Sequence, residues 1–590
     1  MVTEEHRLPV TAGGTMSITE VPVTDNENAN AANRSSFDSS WSPPNPGPWM
    51  QDRAHTPAPN SRISIELYPD AFTRGFAETT GEYGALVTLG MASVNGYTYH
   101  QVQPFDLPGP DGPMSPEQIG AEFGRRIEVA AGAFGGQLWH EHLRLWDNEC
   151  KPQSLRAHRE LNTLDLRSLD ANELRAHVEQ CAAHLKAMVY QHHRFNMSAM
   201  LPVGDFAVQA SAWTGLAPSV LFRALEGASP VSSLIPPEMT AAVNALRGDI
   251  ESCRLIGTVD GNDEAAAQRL TAIAARLPAV SEYLHDTSYR LVDGFDVTRP
   301  TLGECPSLVL GKFAAALASD PDAASARAAA FAETVRENLS VDHRVAFDEL
   351  LGHARACYRL RDERGIYSDI SAFGLMRLAM LEVGRRAVAS HRLHAVDDVL
   401  EADSKELDAL LDGSAQPTAD ELRQRGIDRL ALTVVGSPRF LGPPPPEPPP
   451  VDQLPPPLAR VMSALGFMID GILGELSEPG GTDTLVNGIA IGNGTYEGRA
   501  RVARTFLEIL ELEPGEVLVT PSTGEAMNSM IHLVGAIVTD HGSFASHAAI
   551  MARELGFPAV VGTADGSRRI PNGAMVRVNG DTGEVTVLSS

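Results

Sequence analysis

The stretch Thr539-Asp540-His541-Gly542-Ser543-Phe544-Ala545-Ser546-His547-Ala548-Ala549-Ile550-Met551-Ala552-Arg553-Glu554-Leu555-Gly556-Phe557-Pro558 decides how this 590-residue chain is read. The apolar run 536–538 before it has the length and composition of a buried strand. Gly542 and Ser543 mark a turn. Ser543 or Ser546 can cap a helix running from about His547 to Leu555. Gly556 and Pro558 stop that helix, and the apolar run 559–561 resumes the sheet. A histidine therefore stands in the first turn of a helix, just behind a glycine loop.

That position has chemical consequences. Backbone N–H groups at a helix start lack intrahelical partners and carry partial positive charge. They disfavour imidazolium, so His547 is expected to be neutral and nucleophilic near neutral pH. Once a phosphoryl group sits on the ring, the same donors can hold its oxygens. The bland alternative is a histidine that merely packs or caps.

The whole stretch resembles the phosphohistidine (swivelling) domain of PEP-utilising enzymes, shared by PEP synthase, pyruvate phosphate dikinase, rifampicin phosphotransferase and phenylphosphate synthase. The family pattern reads roughly T-D-x-G-G-x-x-S-H-x-A-I-x-A-R-E-x-G-I-P-A-V-V-G. Ser543 replaces its second glycine and Phe557 its isoleucine. The resemblance implies that His547 is the phosphorylated residue. Gly542, Ser546 and Thr523 are phosphate-stabilising candidates. Thr520 and Asp540 are further expected neighbours.

Composition narrows the partners. The formal charge of −28 argues against nucleic acid or an anionic membrane as the main partner. Cys150, Cys181, Cys253, Cys305 and Cys357 are scattered without a C-x-x-C pair, so no zinc site or other metal site is expected. A reducing cytoplasm fits that usage. No apolar run approaches the roughly 20 residues of a membrane span, and the polar, acidic N-terminus does not read as a signal peptide.

The expected architecture is multidomain. A polar tail covers residues 1–45, a mainly helical acceptor domain 46–440, a proline-rich linker with a short helix 441–480, and a small β/α phosphohistidine swivelling domain 481–590. Trp49, Asp52 and His55 cluster where order begins, and either line a pocket or comprise an anchoring Trp beside surface groups. Asp170 and Glu173 open a helix on which Leu174, Val178, Cys181, Leu185 and Met188 recur at helical spacing. At its end, His192 and His193 point in different directions and do not form a chelating pair. They are acceptor-pocket candidates with Asp52 and His55, or else ordinary helix-end histidines. Prolines fill 443–446, 448–450 and 455–457. An extended run of that length spans about 45 Å, which suits a domain that travels, or a passive spacer.

Two middle segments carry arginines. Residues 289–306 resemble the G-x-R-x-x-D-G-x-D…P-T-L-x-E-x-P stretch of rifampicin-phosphotransferase-like proteins. Arg290 there either holds phosphate or, the favoured reading, orders the loop through Asp293, Asp296 or Glu304. Residues 358–364 resemble the L-R-E-x-x-(K/R) motif of the same region, which implies that Arg361, and Arg364 one position out of register, lie next to the transferred phosphoryl group. Arginine suits that role through paired hydrogen bonds; a solvated helix face is the alternative.

No glycine-rich nucleotide loop with basic residues is evident, and the chain ends soon after the swivelling-domain pattern. The expectation is thus a split dikinase. An ATP-grasp partner subunit binds Mg2+ and ATP and phosphorylates His547, and a small-molecule hydroxyl acceptor, phenolic or similar, waits in the helical domain. The other readings are an antibiotic phosphotransferase component of rifampicin type, a phosphocarrier or regulatory protein, and a degenerate scaffold.

Overall fold

Helices dominate residues 62–431 and strands residues 481–589, the division that the sequence periodicities predict. The computed structural model describes residues 41–589, apart from 57, 108–111, 258–262, 433–436, 445–449, 474–480, 483–484, 493, 505, 510, 525–526 and 529. The expected N-terminal tail and the middle of the proline run therefore lie outside the described residues, except for 41–45 at the end of the tail. No described helix is long and apolar enough to cross a membrane.

A small antiparallel sheet closes one end of the helical body. Its strands are β1 (Trp49–Gln51), β2 (Val87–Val94), β3 (Tyr97–Pro104) and β4 (Phe440–Leu441), in the order β2-β3-β1-β4. Asn95 and Gly96 join β2 to β3 with φ of 51° and 81°. Positive φ at both positions is what an Asn-Gly hairpin turn supplies. Trp49 packs with Tyr97, Tyr99 and Leu441 in a satellite core. Trp49 is thus an anchor, while Asp52 and His55, just beyond β1, are placed to line a cavity.

The helical body is built on Ala171–Arg194, Asn196–Thr214, Val341–Tyr358 and Ile370–Ala389. The first starts as its sequence predicts. The Asp170 side chain accepts from the Asn172 and Glu173 amides, and Glu173 closes the box on the Asp170 amide. Leu174, Val178, Cys181, Leu185 and Met188 all turn inward. The helix Pro456–Leu473, which follows the prolines, crosses Asn196–Thr214 closely. A Cβ at Gly204 would lie 2.3 Å from the Ala464 carbonyl oxygen, so only glycine permits the approach. Arg460 clasps Asp205 with two bonds of 2.9 and 2.6 Å. Leu458, Val461, Leu465 and Met468 are at most 1% exposed. At roughly 1.5–3 kcal/mol each, their burial holds this helix to the body by about 6–12 kcal/mol at most. It is a buttress of the body.

The C-terminal sheet runs β5-β6-β13-β12-β8-β9-β10-β11-β7. In chain order these are Gly481–Thr482, Leu485–Asn487, Ile489–Ile491, Thr495–Val502, Val517–Thr520, Ala536–Thr539, Ala559–Val561, Met575–Asn579 and Glu584–Ser589. Strands β8 to β11 are parallel, and β9, β10 and β11 are wholly buried, as parallel strands covered on both faces should be. The helix His547–Leu555 is the crossover between β10 and β11, and Gly556 ends it at φ 78°. Strands β12 and β13 form an antiparallel hairpin. Apolar side chains of the helices at 240–318 share one core with this sheet, Phe313 and Leu310 meeting the cluster of Leu518, Ile537 and Met551.

Candidate functional site

His547 opens its helix, with Ser546 in the extended conformation of an N-cap (φ −68°, ψ 163°). Of the two serines offered by the sequence, Ser546 takes that position. Its buried hydroxyl makes no capping bond and finds no other hydrogen-bond partner among the described residues. The His547 ring is 3% exposed. Its Nδ1 lies 2.9 Å from Thr523 Oγ1 and its Nε2 2.6 Å from Asn528 Oδ1. Gly542 turns the loop at φ 98°, and a Cβ there would sit 2.8 Å from Ser546 Cβ, so the loop closes tightly only around glycine.

These groups line a small cavity. His541, Gly542, Ser546, His547, Ser522 and Thr523 form one wall, and Ala54, His55, Arg361 and Ile472 come from the other body. His55, Arg361 and Ile472 also line a second, larger cavity inside the helical body. Tyr68, Phe72, Phe76, Phe295, Met91 and Met200 give that cavity an apolar wall. The two cavities therefore meet at a histidine and an arginine.

Arg361 is 5% exposed. Its hydrogen bond to a side chain is to Asp362, at 3.4 Å, and its Nε has no partner among the described residues. Asp362 is already held by Ser229 at 2.7 Å and by Ser232. A buried guanidinium with spare donors is costly unless an anion joins it, and phosphate matches its fork. The helix carrying it, Leu360–Arg364, runs into a π turn, Gly365–Asp369, before Ile370–Ala389. Such turns re-aim side chains at functional sites.

Residues 512–583 match the family described as PEP-utilising enzyme, mobile domain. The chain carries the mobile domain of the PEP-utilising enzymes. It is 41% identical over 154 residues to chondramide synthase cmdD of Chondromyces crocatus, covering 26% of this chain and 4% of that protein. It is 28% identical over 248 residues to the uncharacterised phosphotransferase YvkC of Bacillus subtilis (42% and 28%). It is 38% identical over 136 residues to rifampicin phosphotransferase of Streptomyces sviceus (23% and 15%). The matched part thus spans less than a third of each of these relatives.

The mobile domain is docked on the helical body through its histidine loop. Phe544 wedges between Phe222 and Phe467, with ring centroids 5.6 and 4.9 Å away. The Ala545 amide donates to the Gly471 carbonyl at 2.8 Å. Arg327 of the body donates to the carbonyls of Arg553 and Glu554 at 3.0 and 3.1 Å, a cation where a helix C-terminus favours one. The Glu554 carboxylate accepts from the Gly227 amide at 2.8 and 3.0 Å. Burial, with Asp362 and Glu226 nearby, outweighs that bond and raises the Glu554 carboxyl to about 8.

Several expected neighbours serve elsewhere. Asp540 of the mobile domain accepts from the Ser567 amide at 2.7 Å and from the Ser567 hydroxyl, which anchors the helix Gly566–Arg569 instead of a phosphate. Thr520 bonds the Ser522 carbonyl. Arg290 lines neither cavity. It pairs with Glu238 at 2.5 Å beneath the Tyr367 ring, so it orders its loop, although through none of the three acids expected. Asp296 instead holds Ser61, and Glu304 holds Arg377. Arg364 lines the larger cavity only, donating to the His192 carbonyl at 3.3 Å.

His192 and His193 correct a geometric expectation. Their Cβ vectors diverge on the helix, yet both rings stand in the larger cavity and stack face to face, 4.3 Å apart at 10°. Side-chain torsions at a helix end overcome the 100° step. His192 Nδ1 meets Asp369 at 2.8 Å, and His193 Nε2 meets Tyr68 Oη at 3.0 Å. Burial, aided by His192 and Arg364, holds His193 well below the usual histidine range and therefore neutral. His192, His193 and Asp369 bring one ligand atom each within 4.8 Å of one another, but the charges of Arg361 and Arg364 on the same cavity oppose a cation.

Asn528, Asp362 and Ile472 were not flagged by the sequence. No local signal pointed to Asn528, because its contact with His547 is made by a fold that brings residues from different loops together.

Proposed function

We propose that this chain is the histidine-bearing and acceptor-binding part of a phosphotransferase. His547 accepts a phosphoryl group on the mobile domain and passes it to a hydroxyl of a compound held in the aromatic cavity of the helical body. The observation that carries this reading is the junction of the two cavities at Arg361 and His55. The loop donors at Gly542 and Ser546 and the Arg361 fork hold the charge of the group in transit. The phosphoryl group comes from Mg–ATP bound by an ATP-grasp partner, which makes the whole a split dikinase.

The cavity favours an acceptor with an aromatic or apolar face, which would pack against Tyr68, Phe72, Phe76 and Phe295. Its aromatic wall also speaks against a bare phosphocarrier, which has no use for it.

The test is acid-labile phosphate and intact mass with Mg–ATP, with and without an ATP-grasp partner, on the wild type and on His547→Ala. Labelling that requires the partner and disappears in His547→Ala is the expected result. Labelling retained in His547→Ala overturns the assignment.

A further inference from the structure

We propose that His55 is the general base that takes the proton from the acceptor hydroxyl, and that Asp52 positions its ring. The proposal rests on the phosphohistidine reading above and adds a role to it. A hydroxyl attacking phosphorus must shed its proton, and the group receiving it must stand where the two cavities meet. His55, Arg361 and Ile472 line both. Isoleucine has no base, and a guanidinium stays protonated. His192 and His193 line the larger cavity alone.

The local structure prepares His55 for that work. It sits in the turn after β1, where its amide donates to Asp52 Oδ1 at 3.0 Å. Its Nδ1 is 3.1 and 3.2 Å from the two Asp52 oxygens. His100 on β3 places Nε2 2.9 Å from Asp52 Oδ2. Burial works to raise the Asp52 carboxyl, but the two histidines outweigh it and hold it well below the usual carboxylate range. An ionised carboxylate only accepts, so Nδ1 of His55 donates, and the lone pair of the neutral ring is on Nε2. Around the ring stand Asp52 just beyond β1, His100 on β3, His193 and Arg361 from the body, and His541 and His547 from the mobile domain.

The step balances without a further reactant. The acceptor oxygen forms the O–P bond as the N–P bond to His547 breaks, and that electron pair returns to the His547 ring. The hydroxyl proton passes to His55 Nε2. Asp52 stabilises the imidazolium until it releases the proton to solvent.

Phosphoramidate, a small donor that needs no partner subunit, serves to load His547. Decay of the phosphohistidine is then followed by intact mass with 2-naphthol present, from pH 5.5 to pH 8.5. Water entering the cavity also counts as acceptor, so each variant yields a rate. The expected result is a wild-type decay that rises with pH along one ionisation. His55→Asn loads but decays about 100-fold more slowly without that rise, within the range of general-base contributions. Asp52→Asn is slowed with a displaced profile, because its amide can hold the ring in the wrong tautomer. A His55→Asn protein that loads and then decays at the wild-type rate with the wild-type profile overturns the base and leaves the phosphohistidine reading intact. A wild type that never loads overturns that reading, and this proposal with it.

Discussion

Asn528 Oδ1 lies 2.6 Å from Nε2 of His547, and the Asn528 amide reaches Ser232 of the helical body at 3.5 Å. The ring is thus fixed by a side chain that is itself tied across the contact between mobile domain and body. Ser232 continues the chain to Asp362, the neighbour of Arg361. One line of hydrogen bonds joins the histidine to the arginine proposed to hold the charge of the phosphoryl group in transit.

Asn528→Ala and Ser232→Ala should each slow transfer from phospho-His547 by about 2–10-fold, the worth of one hydrogen bond. Because both belong to one line, the double variant should be no slower than the worse single one. Rates of phosphohistidine decay in the four proteins test this, and additive losses would show that the line does not act as a unit.

Arg361→Met should separate activity from stability. Transfer falls by about 100–1,000-fold, the cost of removing a principal donor to the transferred group. Stability is unchanged or increases, because a buried charge with spare donors is replaced by an apolar side chain of similar length. Arg361→Lys keeps the charge but loses the fork and regains only part of the rate. Decay rates and thermal midpoints of the three proteins decide it; a midpoint that drops sharply in Arg361→Met would mean that the guanidinium holds the fold.

Glu554 makes docking sensitive to pH. Its carboxyl is raised to about 8 from an ordinary value of 4.5, with 7% of the residue exposed. The folded state therefore holds a proton that the unfolded chain has released. The resulting stability is complete below about pH 4.5 and is lost as pH rises through about 8. Glu554→Gln keeps an acceptor for the Gly227 amide and removes the titration. Its thermal midpoint should match the wild type near pH 5 and exceed it near pH 9. Parallel curves for the two proteins across that range would rule out the assigned shift.

How much of this was legible beforehand depended on sequence distance. The helix that starts at His547 was readable because cap, stop and flanking strands lie within 26 residues, 536–561. The helix that starts at Asp170 was readable from its box and its stripe. Arg361 stood out through the motif around it. Asn528 did not, because its role arises where loops after β9 and β10 converge. The partner of Arg290 was misjudged for the same reason: Glu238 lies 52 positions away, while three nearer acids were spent on Ser61, Arg377 and Arg299. The stacking of His192 on His193 was hidden because the helical wheel fixes Cβ directions and leaves the torsions open.

Phe544→Ala should move loading and transfer in opposite directions. The docked ring of His547 is 3% exposed, so it meets the acceptor cavity but not a donor in solution. Phe544 is the apolar wedge of that docked state, between Phe222 and Phe467. Its truncation weakens docking by up to about 3–5 kcal/mol, the usual range for a well-packed Phe, and raises the fraction of mobile domain that has lifted away. Loading of His547 by phosphoramidate becomes faster, because the ring is reached more often. Transfer to an acceptor in the aromatic cavity becomes slower, because Arg361 and the ring are together less often. The two rates, measured on one preparation, carry the test. If both fall together, the substitution has damaged the loop itself. If neither changes, the wedge does not govern docking, and the travel of the domain must be controlled by the Arg327 and Glu554 contacts instead.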